Sequence, residues 1–229
     1  MFAELAKVMD YASSDNNFSN SLNQNVFHKK TKSGAEKTSR FLKKLYGFEI
    51  DNSSFKALKY FWATTEDNEK PLLAIIYAIN NDYLLAESID VICNSKIGAR
   101  VTIESLEQNI EERYPNKYSA VTRRSIGKNI ASSWKQAGFI VGKVKNIRVQ
   151  PAISARIVGF AMLLAYLNGE RGDFIFNNTG VKALCLNEAK LRELAIEAAK
   201  RDLMQYQYGG NVTAISFNNI IKILEVDAV

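Results

Sequence analysis

A single histidine, two cysteines and a long stretch without any acidic residue are the main shortages of this 229-residue chain. The histidine, His28, sits in the polar, basic run His28-Lys29-Lys30-Thr31-Lys32, with no neighbouring carboxylate or cysteine. A histidine-dependent catalytic triad would have to be built on that one residue, and nothing around it offers a buried, tuned site. No GxxxxGK[ST] or GxGxxG run is present to cradle phosphates, and no cysteine–histidine set has zinc-ligand spacing. The chain is therefore expected to be non-catalytic, with no cofactor and no metal. Sites made only of Asp and Glu have no diagnostic spacing in sequence.

Cys93 and Cys185 lie in apolar contexts, IDVICN and KALCLN. They read as small buried hydrophobes of a reducing cytoplasm rather than as a disulfide. Long apolar runs are also lacking. The most apolar one, Ile157 to Leu167, is well short of the ~20 residues that cross a bilayer. The opening MFAELAKVMD carries an acid early and has no sustained apolar core, unlike a secretory signal. These shortages point to a cytoplasmic protein with no membrane partner.

What is present is an ordinary globular composition, 47% hydrophobic and 24% charged, with a formal charge of +6 and a pI near 9.2. The placement of charge says more than its total. Between Glu112 and Glu170 there is no acid, yet ten cations: Arg113, Lys117, Arg123, Arg124, Lys128, Lys135, Lys143, Lys145, Arg148 and Arg156. The rest of the chain is consequently net negative, so the positive field belongs to one segment.

Periodicity and punctuation predict a mainly α protein with short β-hairpins, a helical bundle plus winged-helix-like units. Residues 1–97 read as an N-terminal helical domain. Phe2–Tyr11 is a short amphipathic helix, Ser13–Asn25 a Ser/Asn-rich loop, and Ser33–Tyr46 a helix that Gly47 ends. Asp51-Asn52-Ser53 offers caps for a helix through Trp62, and Pro71 fits the first turn of the next helix. Asn80–Asp82 marks a junction before a helix through Ile92.

Residues 98–151 read as a winged-helix-like basic domain. Thr102 caps a helix from Ile103 to Arg113, Pro115 stops it, and a second helix runs from Ala120 to Ala137. Ile126, Ile130, Trp134 and Ala137 form its apolar stripe. Arg124, Lys128, Ser132 and Lys135 fall away from that stripe, flanked by Arg123, Asn129 and Gln136. Such a face suits a major groove, because Arg engages guanine O6 and N7 and Asn or Gln engages adenine N6 and N7. After Gly138, FIVGKVKNIRVQP is β-rich about a tight turn at Lys145-Asn146, a wing whose Lys143, Lys145 and Arg148 would contact the DNA backbone.

Residues 152–229 read as a C-terminal helical domain with a hairpin, in the same helix-then-hairpin order. Ile153–Leu167 is a near-continuous apolar helix, followed by helices over 174–186 and 187–204 and a hairpin about Gly209-Gly210. Here the charges balance, with Glu188 opposite Arg192 and Glu197 opposite Arg201 at i, i+4 spacing. This part reads as packing or protein contact, with Tyr206 and Tyr208 in either an interface or the core.

The order of an N-terminal helical part, then ASSWKQAGFI, a basic strand pair and GFAMLLAYLNGERGDFIF, resembles the BrxA-like proteins of BREX phage-defence systems. The resemblance implies a non-catalytic, cytoplasmic protein that binds double-stranded DNA beside other proteins of a defence complex. The competing reading is a protein-interaction adaptor whose basic segment docks an acidic partner.

Overall fold

The computed structural model describes residues 1–13, 16–210 and 212–226. Among the described residues, seven helices make up the N-terminal part: α1 (Phe2–Tyr11), α2 (Phe18–Asn23), α3 (Lys32–Tyr46), α4 (Ser53–Thr64), α5 (Lys70–Asn81), α6 (Tyr83–Glu87) and α7 (Ile89–Asn94). Then come α8 (Ile103–Arg113), α9 (Ala120–Gln136) and the hairpin β1 (Ile140–Val141) with β2 (Ile147–Arg148). The chain continues through α10 (Ala155–Leu167), α11 (Phe174–Asn177), α12 (Thr179–Lys182) and α13 (Glu188–Lys200). It ends with the hairpin β3 (Gln205–Gly209) and β4 (Val212–Ser216), followed by α14 (Asn218–Leu224). The protein is thus mainly helical with two small antiparallel hairpins.

Helix starts follow local chemistry closely. The side chains of Asn52, Thr102, Ser119, Ser154 and Asn187 each accept a backbone N–H of the first turn of α4, α8, α9, α10 and α13. That satisfies one of the donors every helix leaves unpaired at its start. Gly47 and Gly138, at φ +68° and +84°, close α3 and α9 in conformations other residues adopt reluctantly.

Several stretches differ from the sequence reading. The Ser/Asn-rich segment is not wholly loop: Asn17 caps α2, and Phe18 and Leu22 are buried. Phe18 packs between Phe48 and Phe55, with ring centroids at 5.6 and 5.0 Å. Two apolar residues one turn apart are too few to register as periodicity. Ser14 and Asp15 of that segment lie outside the described residues. Each of the helices expected through Ile92 and over 174–186 is two, with Ser88 at one junction and Asn178 at the other. α13 stops at Lys200, because Asp202 takes φ +57° and the Leu203 amide closes back on the Ala198 carbonyl. Gly209 pairs with Val212, so the second hairpin turns after Gly209 rather than about Gly209-Gly210; Asn211 lies outside the described residues. α14 was not anticipated.

One buried apolar cluster runs through all three sequence segments, so residues 97 and 151 do not separate independent cores. Its pillar is α10, buried from Ala155 to Ala165 except at Arg156 and packed on α4, α5, α12 and α13. Phe160 meets Phe61 at 5.2 Å between centroids, and Gly159 lets Leu203 and Ala198 approach the helix closely. A second tie was also missed: Cys93 and Cys185 form a disulfide that joins the end of α7 to the turn after α12. Their Cα atoms are 4.9 Å apart and their sequence separation is 92. An apolar neighbourhood in sequence does not distinguish a free thiol from a bonded pair. Closing a loop of that size constrains the unfolded chain by about 4–5 kcal/mol.

A buried polar pair couples α9 to this core. The Trp134 indole N–H donates to Ser88 Oγ at 2.7 Å, and Ser88 in turn donates to the Leu85 carbonyl at 2.6 Å. Ser88→Ala strands the indole donor in a dry site, which costs about 1–3 kcal/mol. Urea unfolding should show the midpoint falling at unchanged slope; an unaltered midpoint would remove Ser88 from the account.

Candidate nucleic-acid interface

The basic segment is organised by the crossing of α8 and α9. Gly127 is buried at that crossing, and a Cβ there would meet Ile103 Cγ2 at 3.3 Å and Glu107 Cγ at 3.4 Å. Ile130, Ala131 and Trp134 bury the inner face of α9, as the apolar stripe predicts, and Trp134 meets Phe139 edge-on at 5.0 Å. Ile126 is only partly buried.

Ion pairs across this crossing change the expected charge pattern. Glu104, Glu107 and Glu111 occupy one face of α8 and point at α9. Arg123 pairs with Glu111 and also donates to the Tyr118 carbonyl. Arg124 lies 3.4 Å from Glu107 and 3.6 Å from Glu104. Arg113 likewise pairs with Glu87 and Asp90. The stretch that lacks acids in sequence does not lack them in space. Arg123 and Arg124 zip two helices together, and Arg123 is not presented as a free base-reading side chain. The i, i+3, i+7 spacing of the three glutamates was the sequence signal for this.

The remaining predicted residues of α9 do face outward. Lys128, Asn129 and Ser132 are exposed, Lys135 is half-buried, and Thr122 and Ser125 lie on the same open side. Among the described residues no carboxylate pairs with Lys128, Lys135, Lys143 or Lys145. Gln136 is occupied, its Oε1 accepting the Phe2 amide at 3.0 Å. Val121, near the start of α9, is 82% exposed.

The wing is a three-stranded arrangement rather than a lone hairpin. β1 and β2 pair antiparallel, Ile140 with Arg148 and Val141 with Ile147. The extended segment before α8 adds a third edge: Arg100 bridges Ile147, the Val101 amide reaches the Asn146 carbonyl, and the Arg148 amide reaches the Ala99 carbonyl. The turn is longer than the tight one expected at Lys145-Asn146. It spans residues 142–146 and opens on Gly142 at φ +98°, where a side chain would collide with the Lys145 carbonyl. Lys143 and Lys145 project from this loop on either side of Val144, which is 89% exposed.

Arg148 is the clear correction to the expected site. It is 1% exposed and cannot meet a phosphate. Its Nε donates to the Ile92 carbonyl at 2.8 Å, Nη1 to the Val149 carbonyl and Nη2 to Gln150 Oε1 at 2.9 Å. Its guanidinium sits 5.3 Å from the Phe139 ring centroid. Burial without a carboxylate partner pushes its pKa down from the ordinary arginine value. In an alternating strand Arg148 faces inward, and its residue type disguised that position.

Two cationic groups beyond the predicted set border the site. Lys117, in the turn before α9, lies 4.8 to 5.6 Å from the ring centroids of Tyr83, Tyr114 and Tyr118. Its hydrogen bond with the Tyr83 hydroxyl pushes its pKa up. On α3, the exposed Lys37, Arg40, Phe41 and Lys44 share one face, with the first two cations about 6 Å from the Phe41 ring. Phe41 and Lys44 line a groove of about 220 Å³ with Ile126, Asn129 and Ser133 of α9. The basic face of α3 thus adjoins the open side of α9. Its lysines were visible in the sequence, but their proximity to α9 depends on tertiary packing.

The second hairpin carries no comparable charge. Arg192 is held by Glu188, Asp173, Tyr206 and Thr213, and packs against the rings of Phe176 and Tyr208. The Thr213 hydroxyl, with Arg192, lowers the Asp173 pKa. Tyr206 is therefore part of a polar lock and Tyr208 is exposed. Glu188 pairs with Arg192 as expected, whereas Glu197 and Arg201 form no ion pair among the described residues.

Substitutions at two positions test this geometry. Gly127→Val should force α8 and α9 apart and lower stability by about 1–3 kcal/mol, read by denaturant unfolding; full stability would refute the close crossing. Arg148→Ala should cost about 2–4 kcal/mol through three unpaired acceptors and a void. Arg148→Lys should not restore it, because one ammonium cannot satisfy three divergent acceptors; wild-type stability in either variant would contradict the structural role.

No family model, curated protein or solved structure matches this chain.

Proposed function

We propose that the chain is a non-catalytic, cytoplasmic double-stranded DNA-binding protein of winged-helix type. In this reading α9 enters the major groove, with Lys128, Asn129, Ser132 and Lys135 toward the bases and the adjoining phosphates. Lys143 and Lys145 lie along the backbone from the wing, and Lys37, Arg40 and Lys44 of α3 extend the phosphate track. The observation that carries it is the order of an extended segment, two tightly crossed helices and a hairpin pairing back to that segment, with exposed unpaired lysines on its second helix and wing. Ser125 and Ser132 keep that helix face low enough for close approach to a duplex. A place beside other proteins of a BREX-like phage-defence complex follows from the family resemblance alone.

Val121 and Val144, two exposed apolar side chains at the ends of the basic surface, favour a second reading. In it, the same surface docks an acidic protein partner.

Fluorescence anisotropy on a short labelled duplex separates the two. The logarithm of affinity should fall with the logarithm of salt by about 0.9 per phosphate neutralised. Lys143→Ala with Lys145→Ala should weaken binding on every sequence and flatten that slope by roughly 0.9 for each lysine removed. Lys128→Ala should weaken binding further. Wild-type affinity in both variants would sink the interface, and a lack of duplex binding by the parent would favour the acidic partner.

A further inference from the structure

The Cys93–Cys185 bond opens onto the surface. Both residues are half-buried and line a shallow cleft of about 700 Å³, with Asp90, Asp173, Lys182 and Arg192 around it. A disulfide at such a place is within reach of a small dithiol, whereas one enclosed by the core is not.

The neighbouring residues give the bond a consequence. The carbonyl immediately before Cys93, that of Ile92, accepts from Arg148 Nε at 2.8 Å. The carbonyl immediately before Cys185, that of Leu184, accepts from Gln150 Nε2 at 3.0 Å. Arg148 and Gln150 are themselves joined, Nη2 to Oε1, at 2.9 Å. The disulfide and these three hydrogen bonds therefore close one ring. It runs from α7 through β2 to the turn after α12 and back across sulfur. β2 is the central strand of the wing sheet, so the wing is anchored on the two peptide segments that the disulfide holds at fixed separation.

We propose that Cys93–Cys185 is a reversible thiol–disulfide site whose state sets the order of the wing. In the reaction, a dithiol reductant transfers two electrons and two protons. The S–S bond breaks, two cysteine thiols form, and the reductant becomes its own disulfide. Reduction frees the turn at Leu184 from α7, so Arg148 and Gln150 lose their common frame. The loop carrying Lys143 and Lys145 then samples more conformations. The effect on duplex affinity rests on the DNA-binding reading, whereas the effect on the wing does not. On the DNA-binding reading the protein works in a reducing compartment, where disulfides are usually transient and often redox-sensing.

The test uses the full chain, air-oxidised or treated with dithiothreitol, with thiols counted by alkylation and intact mass. Amide hydrogen exchange is then followed by mass spectrometry. Exchange over residues 139–150 should accelerate on the order of tenfold on reduction, while α10 remains protected. The variant carrying both Cys93→Ser and Cys185→Ser should exchange like the reduced protein and ignore the reductant. Three results would each overturn the proposal: two alkylatable thiols in the air-oxidised protein, unchanged exchange over 139–150 after confirmed reduction, or residues 139–150 exchanging no faster than α10 in the reduced protein, the sign of global rather than local opening. A several-fold drop in duplex affinity on reduction supports the coupling. If neither state binds duplex while the exchange response is present, the wing coupling stands and the DNA reading alone falls.

Discussion

The basic region depends on one buried cation. Arg148 sits in the middle of the three-stranded wing sheet and reaches into the helical body to the Ile92 carbonyl and Gln150. A guanidinium presents its donors in a fixed planar fork, and here the fork is spread over three neutral acceptors. Removing a charge from water without a counter-ion is unfavourable, and only the dipoles of those acceptors and the Phe139 face offset it. The arrangement holds the hairpin rigidly to α7 and gives the short strands an orientation that two residues each could not maintain.

A second constraint is the pairing of α8 with α9. Gly127 permits close contact, and three glutamates on α8 meet two arginines on α9. These partly exposed pairs add little stability individually. Their larger effect is on the field: they remove Arg123 and Arg124 from the free positive charge and, on α9 and the wing, leave it to lysines. An interface built on lysines favours phosphate attraction over bidentate base reading. On the proposed DNA-binding reading, such a surface would hold a backbone more readily than it would discriminate sequence.

Much of this architecture was legible in the sequence because it rests on local chemistry. The caps at Asn52 and Thr102, the stops at Gly47 and Gly138, and the inward stripe of Ile130 and Trp134 each follow from a few adjacent residues. What escaped was non-local. The acid-free span looked more positive than it is in space, because the carboxylates that pair with Arg113, Arg123 and Arg124 come from the preceding helices. Arg148 looked like a wing contact because arginine is seldom buried. The disulfide joins residues 92 positions apart, and short apolar environments gave no hint of it. α3 contributes cations that adjoin α9 only after the bundle has packed.

The central claim is that a polyanionic duplex lies on α9 and the wing loop. Backbone amide shifts recorded by NMR during titration with duplex DNA address it residue by residue. The account predicts that the perturbed amides cluster over residues 121–136 and 142–146, with a weaker set on the exposed face of α3. Perturbations confined to the cleft around Arg192, or to the β3–β4 hairpin, would contradict it.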